Sequence, residues 1–411
     1  MCVLMIDEMS IKWFLSYDRL CDTVIGYDDC GFERKNLEAT SALVFMIRGL
    51  AANYKQPIGY VFSHSCCSGE LLLTLLYRAL DILSEIGLKV KAIISDQGSN
   101  FVKLTTDLGV SATCPTFTHN SKTYHYIFDV PHLLKSVRNN LFKYHISFED
   151  NKTAQWRDIV KFYDVDKKKR FRLAPKLTQK HIQLPAFSKM KVKLAAQVLS
   201  RTVAAALETH VQTDGSSGSE TAEFLMKFDQ LFDSMNSSHL KDPNRFKRAL
   251  SSTSGHITFL RDCIDWLDTI RVKDSSGKDM TNLVKCFYGW KMSISSLIHL
   301  WKDLEQYEFK FLYTRRLNQD PLENLFSAMR LKGGSCDNPT PIDFARMFKQ
   351  VSSRQLLPAS VGSNCELDVA DVLATIATPL PNKTRVRVGR ERMGTPFPFF
   401  FKMHKMHESS I

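Results

Sequence analysis

The sequence predicts an α/β fold: a mixed five-stranded sheet with flanking helices, interrupted by a large, mostly α-helical insertion. Two short apolar runs, Val3-Leu4-Met5-Ile6 and Val90-Lys91-Ala92-Ile93-Ile94, lead into acidic residues, Asp7 and, after Ser95, Asp96. Each run has the length and composition of a buried strand, which puts each aspartate at a C-terminal sheet edge, where α/β folds gather reactive groups. Between them Leu72, Leu75, Leu76, Ala79, Leu80 and Leu83 repeat at helical spacing. From about residue 146 the pattern turns helical, until Pro321 opens another helix.

Taken in order, strand one spans Val3 to Ile6, and Ala42 to Ile47 and Ile58 to Phe62 continue it as a meander. The helix Glu70 to Ile86 follows, then strand four at Val90 to Ile94. A short helix and a loop lead to strand five, Thr123 to Phe128. Pro131 opens the helix His132 to Phe142, since proline's fixed φ and missing N–H suit a first helical turn. The order β-β-β-α-β-α-β-α is that of the RNase H-like fold, in which the first and fourth strands are neighbours. Asp7 and Asp96 are therefore expected side by side. Later helices are expected at 154–163, 195–211, 221–235, 244–266 and 282–304, with loops at 214–219 and 274–278. The expected organisation is an RNase H-like domain in two parts, 1–145 and 316–355, an insertion over 146–315 and a basic C-terminal segment over 356–411.

The whole chain sets the bounds. With 44% hydrophobic residues over 411 positions it is globular, with length for two or three domains. A formal net charge of +12 points to a polyanionic partner. Ten cysteines form no CxxC pair and no zinc-finger spacing, which fits a reducing compartment, cytosol or nucleus. No signal peptide, membrane span, low-complexity tract or internal repeat is read.

Two carboxylates delivered to one sheet edge suit divalent cations better than a core. Two metal ions about 3.5–4 Å apart can activate a nucleophilic oxygen and stabilise a leaving oxygen in phosphoryl transfer. Magnesium takes oxygen ligands, commonly one or two carboxylates with substrate phosphate. Glu323, in the first turn of the helix after Pro321, is the best third ligand. Singly, each has a plainer reading: Asp7 as a strand-end turn residue, Asp96 as a helix cap, Glu323 as an acid favoured by the helix dipole. A 3′→5′ exonuclease on the same fold needs Asp-x-Glu on strand one. Here Glu8 directly follows Asp7 and points to the opposite side of the strand, which argues against that reading.

Five segments in order make the resemblance specific: Leu4-Met5-Ile6-Asp7-Glu8-Met9, Ile94-Ser95-Asp96-Gln97-Gly98-Ser99-Asn100, Phe128-Asp129-Val130-Pro131-His132-Leu133-Leu134-Lys135, Leu173-Ala174-Pro175-Lys176-Leu177 and Asp320-Pro321-Leu322-Glu323-Asn324. The chain resembles the transposases of the P-element family, including the THAP-domain DNA transposases of animals. The resemblance implies a DDE triad of Asp7, Asp96 and Glu323 holding two Mg²⁺ (or Mn²⁺) ions, on an RNase H-like domain interrupted by a helical GTP-binding insertion. It implies that Asp129 and His132 match a (C/D)xxH signature, for which a helix N-cap is an equally good reading.

For the nucleotide, no GxxxxGK(S/T) is present, so a P-loop is excluded. Guanine offers two donors that one carboxylate can accept together, and Asp233 with Asn236 has the i, i+3 spacing that lets both face one ligand. The resemblance places Lys176, Lys191, Val192, Ser200, Asp233 and Asn236 as GTP contacts, Phe232 as a stacking partner for the base and Asp320 at the nucleotide's metal. It implies that GTP promotes assembly with transposon ends without being hydrolysed for energy.

Two basic runs could meet phosphates or carry a nuclear address: Lys167-Lys168-Lys169-Arg170-Phe171-Arg172, and Lys383, Arg385, Arg387, Arg390 and Arg392. The expected partners are transposon-end and target DNA, GTP and, in a complete protein, further copies of itself, in the nucleus. The family also carries an N-terminal THAP domain and coiled coil, and neither precedes Asp7 here, so the chain is expected to be a fragment, a truncated gene product or a domesticated remnant. The alternative to an active transposase core is a transposase-derived GTP- and nucleic-acid-binding protein without catalysis.

Overall fold

A computed structural model describes residues 1–353 except 20, 21, 150, 151, 216 and 333–337, together with 371 and 372. Its contacts divide the chain into two compact units, Met1–Leu75 joined by the chain from Asp320, and Leu76–Gln319. Among the described residues no helix is long and apolar enough to cross a membrane.

The first unit is built on an antiparallel meander. Strand Cys2–Ser10 pairs with Ser41–Gly49, which pairs with Tyr54–Ser63. Tyr27–Asp29 and Arg34–Glu38 extend the sheet beyond Tyr54–Ser63. Cys2 to Ile6 are all fully buried. Cover on both faces explains why the run reads as continuously apolar rather than alternating. The helix Asp320–Lys332 packs on Cys2–Ser10, and Pro341–Ser353 packs on Tyr54–Ser63. Tyr60 anchors the second contact, its ring 5.2 Å from Phe344 and 4.9 Å from Phe348.

The helix Gly69–Glu85 leads into the second unit. There Val90–Ser95 and Lys122–Phe128 run parallel, with Ile94 opposite Ile127, and Thr116–His119 forms a hairpin with the latter. The Cys286–Glu305 helix lies on Lys122–Phe128: the Ser293 hydroxyl accepts the Phe128 N–H at 3.0 Å, and Ser296 donates to the Tyr126 carbonyl. Further helices, Trp156–Asp166, Arg201–Asp214, Ser219–Met235 and His256–Thr269, gather around Phe148, Phe224, Phe228 and Trp266. A small sheet, Lys152–Ala154 with His145–Phe148 and Arg271–Lys273, adds strands that the sequence did not reveal.

Three expected helices differ. The stretch 195–211 breaks: Val192–Val198 ends, and Ser200 caps a new helix, Arg201–Asp214, its hydroxyl accepting the Val203 N–H at 3.3 Å. Serine's competition for backbone partners makes it a natural break. Over 244–266, a 3₁₀ turn at Arg245–Lys247 and a Ser251–Ser254 turn come first. The helix starts at His256, behind Gly255 in the left-handed region at φ 72°. The last begins at Cys286 rather than 282, because Asn282 lies in a 3₁₀ turn. The basic run Lys383, Arg385, Arg387, Arg390 and Arg392 lies outside the described residues.

Candidate active site

Asp7 stands opposite Val44 in the ladder, half-buried, and its Oδ1 accepts the Glu8 N–H at 2.8 Å. Strand alternation sends Glu8 the other way, where its Oε1 accepts the Cys67 N–H at 2.8 Å. Glu323 occupies the first turn of Asp320–Lys332, the helix packed on this same strand. The structure thus brings together the elements bearing Asp7 and Glu323.

Asp96 follows the fully buried Ser95 at the end of its strand. Its Oδ1 accepts the Gly98 N–H at 2.9 Å, an Asx turn that feeds the helix Ser99–Asp107. Beside it, Gln97 donates from Nε2 to the Lys285 carbonyl at 2.8 Å.

Asp129, only 1% exposed, is the N-cap of Val130–Lys143. One carboxylate oxygen accepts the His132 N–H at 3.0 Å, and the other accepts the Gln319 N–H at 2.7 Å. The cap reading of this motif is therefore present, with a second bond that the sequence did not announce.

Among the described residues no group of three His, Cys, Asp or Glu side chains converges to enclose a metal ion. The donor chemistry of Asp7, Asp96 and Glu323 fits magnesium, which takes carboxylate oxygen and completes its shell with water and phosphate.

The positions expected around a nucleotide fall into three groups. Lys176 and Lys191 are exposed, and Val192 is buried in the first turn of its helix. Ser200 caps the Arg201–Asp214 helix, which packs against Ser219–Met235, the helix bearing half-buried Phe232 and Asp233. Asn236 ends that helix, its side-chain oxygen accepting from the Asn318 amide at 3.1 Å, two residues before Asp320.

The Asp233 carboxyl is pushed up to about 7, first by burial and then by the Asp229 carboxylate one turn earlier. Asn244, donating at 2.8 Å, and Lys247, at 3.9 Å, oppose the rise without cancelling it. Burial also raises the Asp229 carboxyl, although it accepts the Arg201 backbone N–H and feels Lys247. Asp229, Asn244 and Lys247 thus surround Asp233, and sequence reasoning had not singled them out. A signal existed for the first: Asp229, Phe232, Asp233 and Asn236 share one helix face at i, i+3, i+4 and i+7.

Three domain models match in succession: the TNP-like RNase H N-terminal domain over residues 1–109, the TNP-like GTP-binding insertion domain over 131–249, and the TNP-like RNase H C-terminal domain over 316–349. The chain is 29% identical over 374 residues to the Transposable element P transposase of Drosophila melanogaster, covering 89% of this chain and 47% of that protein. The chain belongs to the P-element transposase family. DNA transposase THAP9 of Homo sapiens is a second relative, 25% identical over 381 residues, covering 86% of this chain and 41% of that one. The chain therefore spans less than half the length of these P-element relatives. Its fold matches the Drosophila P element transposase strand transfer complex at a TM-score of 0.74 and 26% identity, over 87% of this chain and 78% of that chain. As a family member it carries an RNase H-like domain split by a GTP-binding insertion domain.

Proposed function

We propose that this chain is the catalytic core of a DNA transposase. It hydrolyses phosphodiester bonds at element ends and joins the freed 3′-hydroxyls to target DNA, with GTP as an assembly cofactor and the nucleus as its place of action. The observation that carries the reading is the packing of the Glu323 helix on the Asp7 strand within an RNase H-like domain. Support comes from relatives that are DNA transposases and from the fold's likeness to a strand transfer complex.

In this reading Asp7, Asp96 and Glu323 hold two Mg²⁺ or Mn²⁺ ions, whose chemistry when bound is to activate the attacking oxygen and neutralise charge on the leaving oxygen. The chain's own contribution is placement. Asp7, inside the Cys2–Ser10 strand rather than at its end, and the helix cap at Asp129 hold carboxylates on rigid backbone. In the insertion, ionised Asp233 accepts the two guanine donors, Phe232 stacks on the base, and Asn236, Ser200 and Val192 line the nucleotide. Lys176 and Lys191 meet its phosphates or guanine O6, and Asp320 meets its metal.

Strand transfer of a preprocessed element end by the full chain, followed with Mg²⁺, with Mn²⁺ and with EDTA, tests this. Activity should require the divalent ion and fall at least about 10³-fold in both Asp7→Ala and Glu323→Ala. Unchanged activity in either variant would refute the triad. GTP binding without any strand transfer by the wild-type chain would favour the non-catalytic binding protein.

A further inference from the structure

The chain's positive charge is not spread evenly. Between Lys167 and Lys193 there are ten lysines and arginines and no aspartate or glutamate. Every one of those cations except Arg172 is exposed. In the same stretch stand Phe171 and Phe187, 81% and 82% exposed, above every other large hydrophobic side chain among the described residues, with Met190 at 57%.

Neither phenylalanine sits on slack backbone. The fully buried Asp166 carboxylate accepts the Leu173 N–H at 2.7 Å, the Ala174 N–H at 3.4 Å and the Arg172 Nε–H at 3.1 Å. Arg172 in turn donates to the Leu177 carbonyl at 2.6 Å. Beneath Phe187, fully buried Arg138 donates to the Ser188 and Lys189 carbonyls at 3.2 and 2.9 Å, and Asn139 donates to the latter at 3.3 Å. Buried charges are thus used to hold two exposed aromatic rings out in a field of cations, one of which, Arg170, lies 5.5 Å from the centre of the Phe171 ring.

A solvated charge run needs no aromatic rings, and duplex phosphates alone would call only for the cations. An apolar protein partner would not need a rim of a single charge sign. Single-stranded nucleic acid matches all of it, because its phosphates need cations and its unpaired base faces stack on aromatic side chains. We infer that Lys167–Lys193 is a binding platform for single-stranded DNA, in which Phe171 and Phe187 stack on bases and Lys168, Lys169, Arg170, Lys180, Lys189 and Lys193 take the backbone phosphates, leaving Lys176 and Lys191 to the nucleotide. The inference rests on the proposed function only for the source of such strands, the ends freed by cleavage.

Fluorescence anisotropy of the full chain with a 20-nucleotide oligo(dT), an abasic strand of equal length and a duplex tests it without any transposition. Oligo(dT) should bind about ten-fold or more tightly than the abasic strand. The double variant Phe171→Ala/Phe187→Ala, checked by circular dichroism, should abolish that preference and keep the salt dependence. Lys168→Gln/Lys169→Gln/Arg170→Gln should flatten the log-affinity against log-salt slope by about 2. Equal binding of oligo(dT) and abasic strand, preference for the duplex, wild-type binding by the phenylalanine variant, or displacement of oligo(dT) by GTP would each overturn the proposal. A chain that binds oligo(dT) this way but shows no strand transfer would leave the platform standing and remove only the proposed catalysis.

Discussion

Asp129 accepts the Gln319 amide N–H at 2.7 Å, so a helix cap at the end of one strand also fixes the residue that precedes Asp320. Two backbone donors far apart in sequence share one buried carboxylate. Asp129→Ala should lose a cap and strand a buried N–H, costing about 2–4 kcal/mol in chemical denaturation. Strand transfer should fall with it, because Gln319 leads directly into the helix bearing Glu323. Asp129→Asn, which keeps an acceptor for one of the two donors, should lose less.

The raised Asp233 carboxyl should make the proposed nucleotide site pH-sensitive. Its folded-state value of about 7 lies well above the usual carboxylate value near 4. The folded chain therefore keeps a proton that the unfolded chain releases between about pH 4 and 7. The stability from this group is complete below about 4 and declines as pH rises to about 7. Asp233→Asn should remove that decline, seen as a smaller drop in melting temperature between pH 5 and 8. Only the ionised carboxylate can accept both guanine donors, so GTP affinity should rise from pH 6 to 8 in calorimetry, and the Asn variant should lose both the affinity and its slope.

Gly289 sits in the first turn of the Cys286–Glu305 helix, where alanine would ordinarily gain up to about 1 kcal/mol. A Cβ there would stand 2.6 Å from Gln97 Nε2 and 2.7 Å from Leu133 Cδ2. Leu133 is fully buried, and Gln97 is committed to the Lys285 carbonyl. The clash should outweigh propensity, so Gly289→Ala should be destabilising by about 1–2 kcal/mol in thermal unfolding. Because Gln97 adjoins Asp96, strand transfer should weaken more than the stability loss alone accounts for.

Phe228 is fully buried among Phe224, Trp266 and Trp290, with ring centroids 4.9, 5.4 and 5.9 Å away. It fixes the helix that carries Asp229 and Asp233. Phe228→Ala should cost about 3–5 kcal/mol in urea denaturation and weaken GTP binding without removing any ligand contact.

What could be read from the sequence follows from burial. Val3 to Ile6 and Val90 to Ile94 are buried, so the runs are apolar, save Lys91 with its Asp303 partner, and the aspartates after them stand out. The strands at Tyr27–Asp29 and Arg34–Glu38 are half or fully exposed and leave no such pattern. Strand His145–Phe148 has only four residues, and its partner Arg271–Lys273 lies beyond several helices, the last of them His256–Thr269, so no local signal records the pairing. The nucleotide cluster fails for the same reason. Asp233 and Asn236 show their spacing, but Lys247 reaches Asp233 from beyond the helix and Arg201 reaches Asp229 from the helix before it, contacts that no local pattern records.

The pairing of Ile146 with Val272 places side by side the two strands that bracket the helices between Phe148 and Arg271. A segment whose two ends are neighbours can lengthen, shorten or be exchanged without moving the strands on either side. Joining Phe148 to Arg271 through a tight turn would leave a simple hairpin, so this junction is a natural seam for grafting, and one through which a helical module could enter an older fold in a single event.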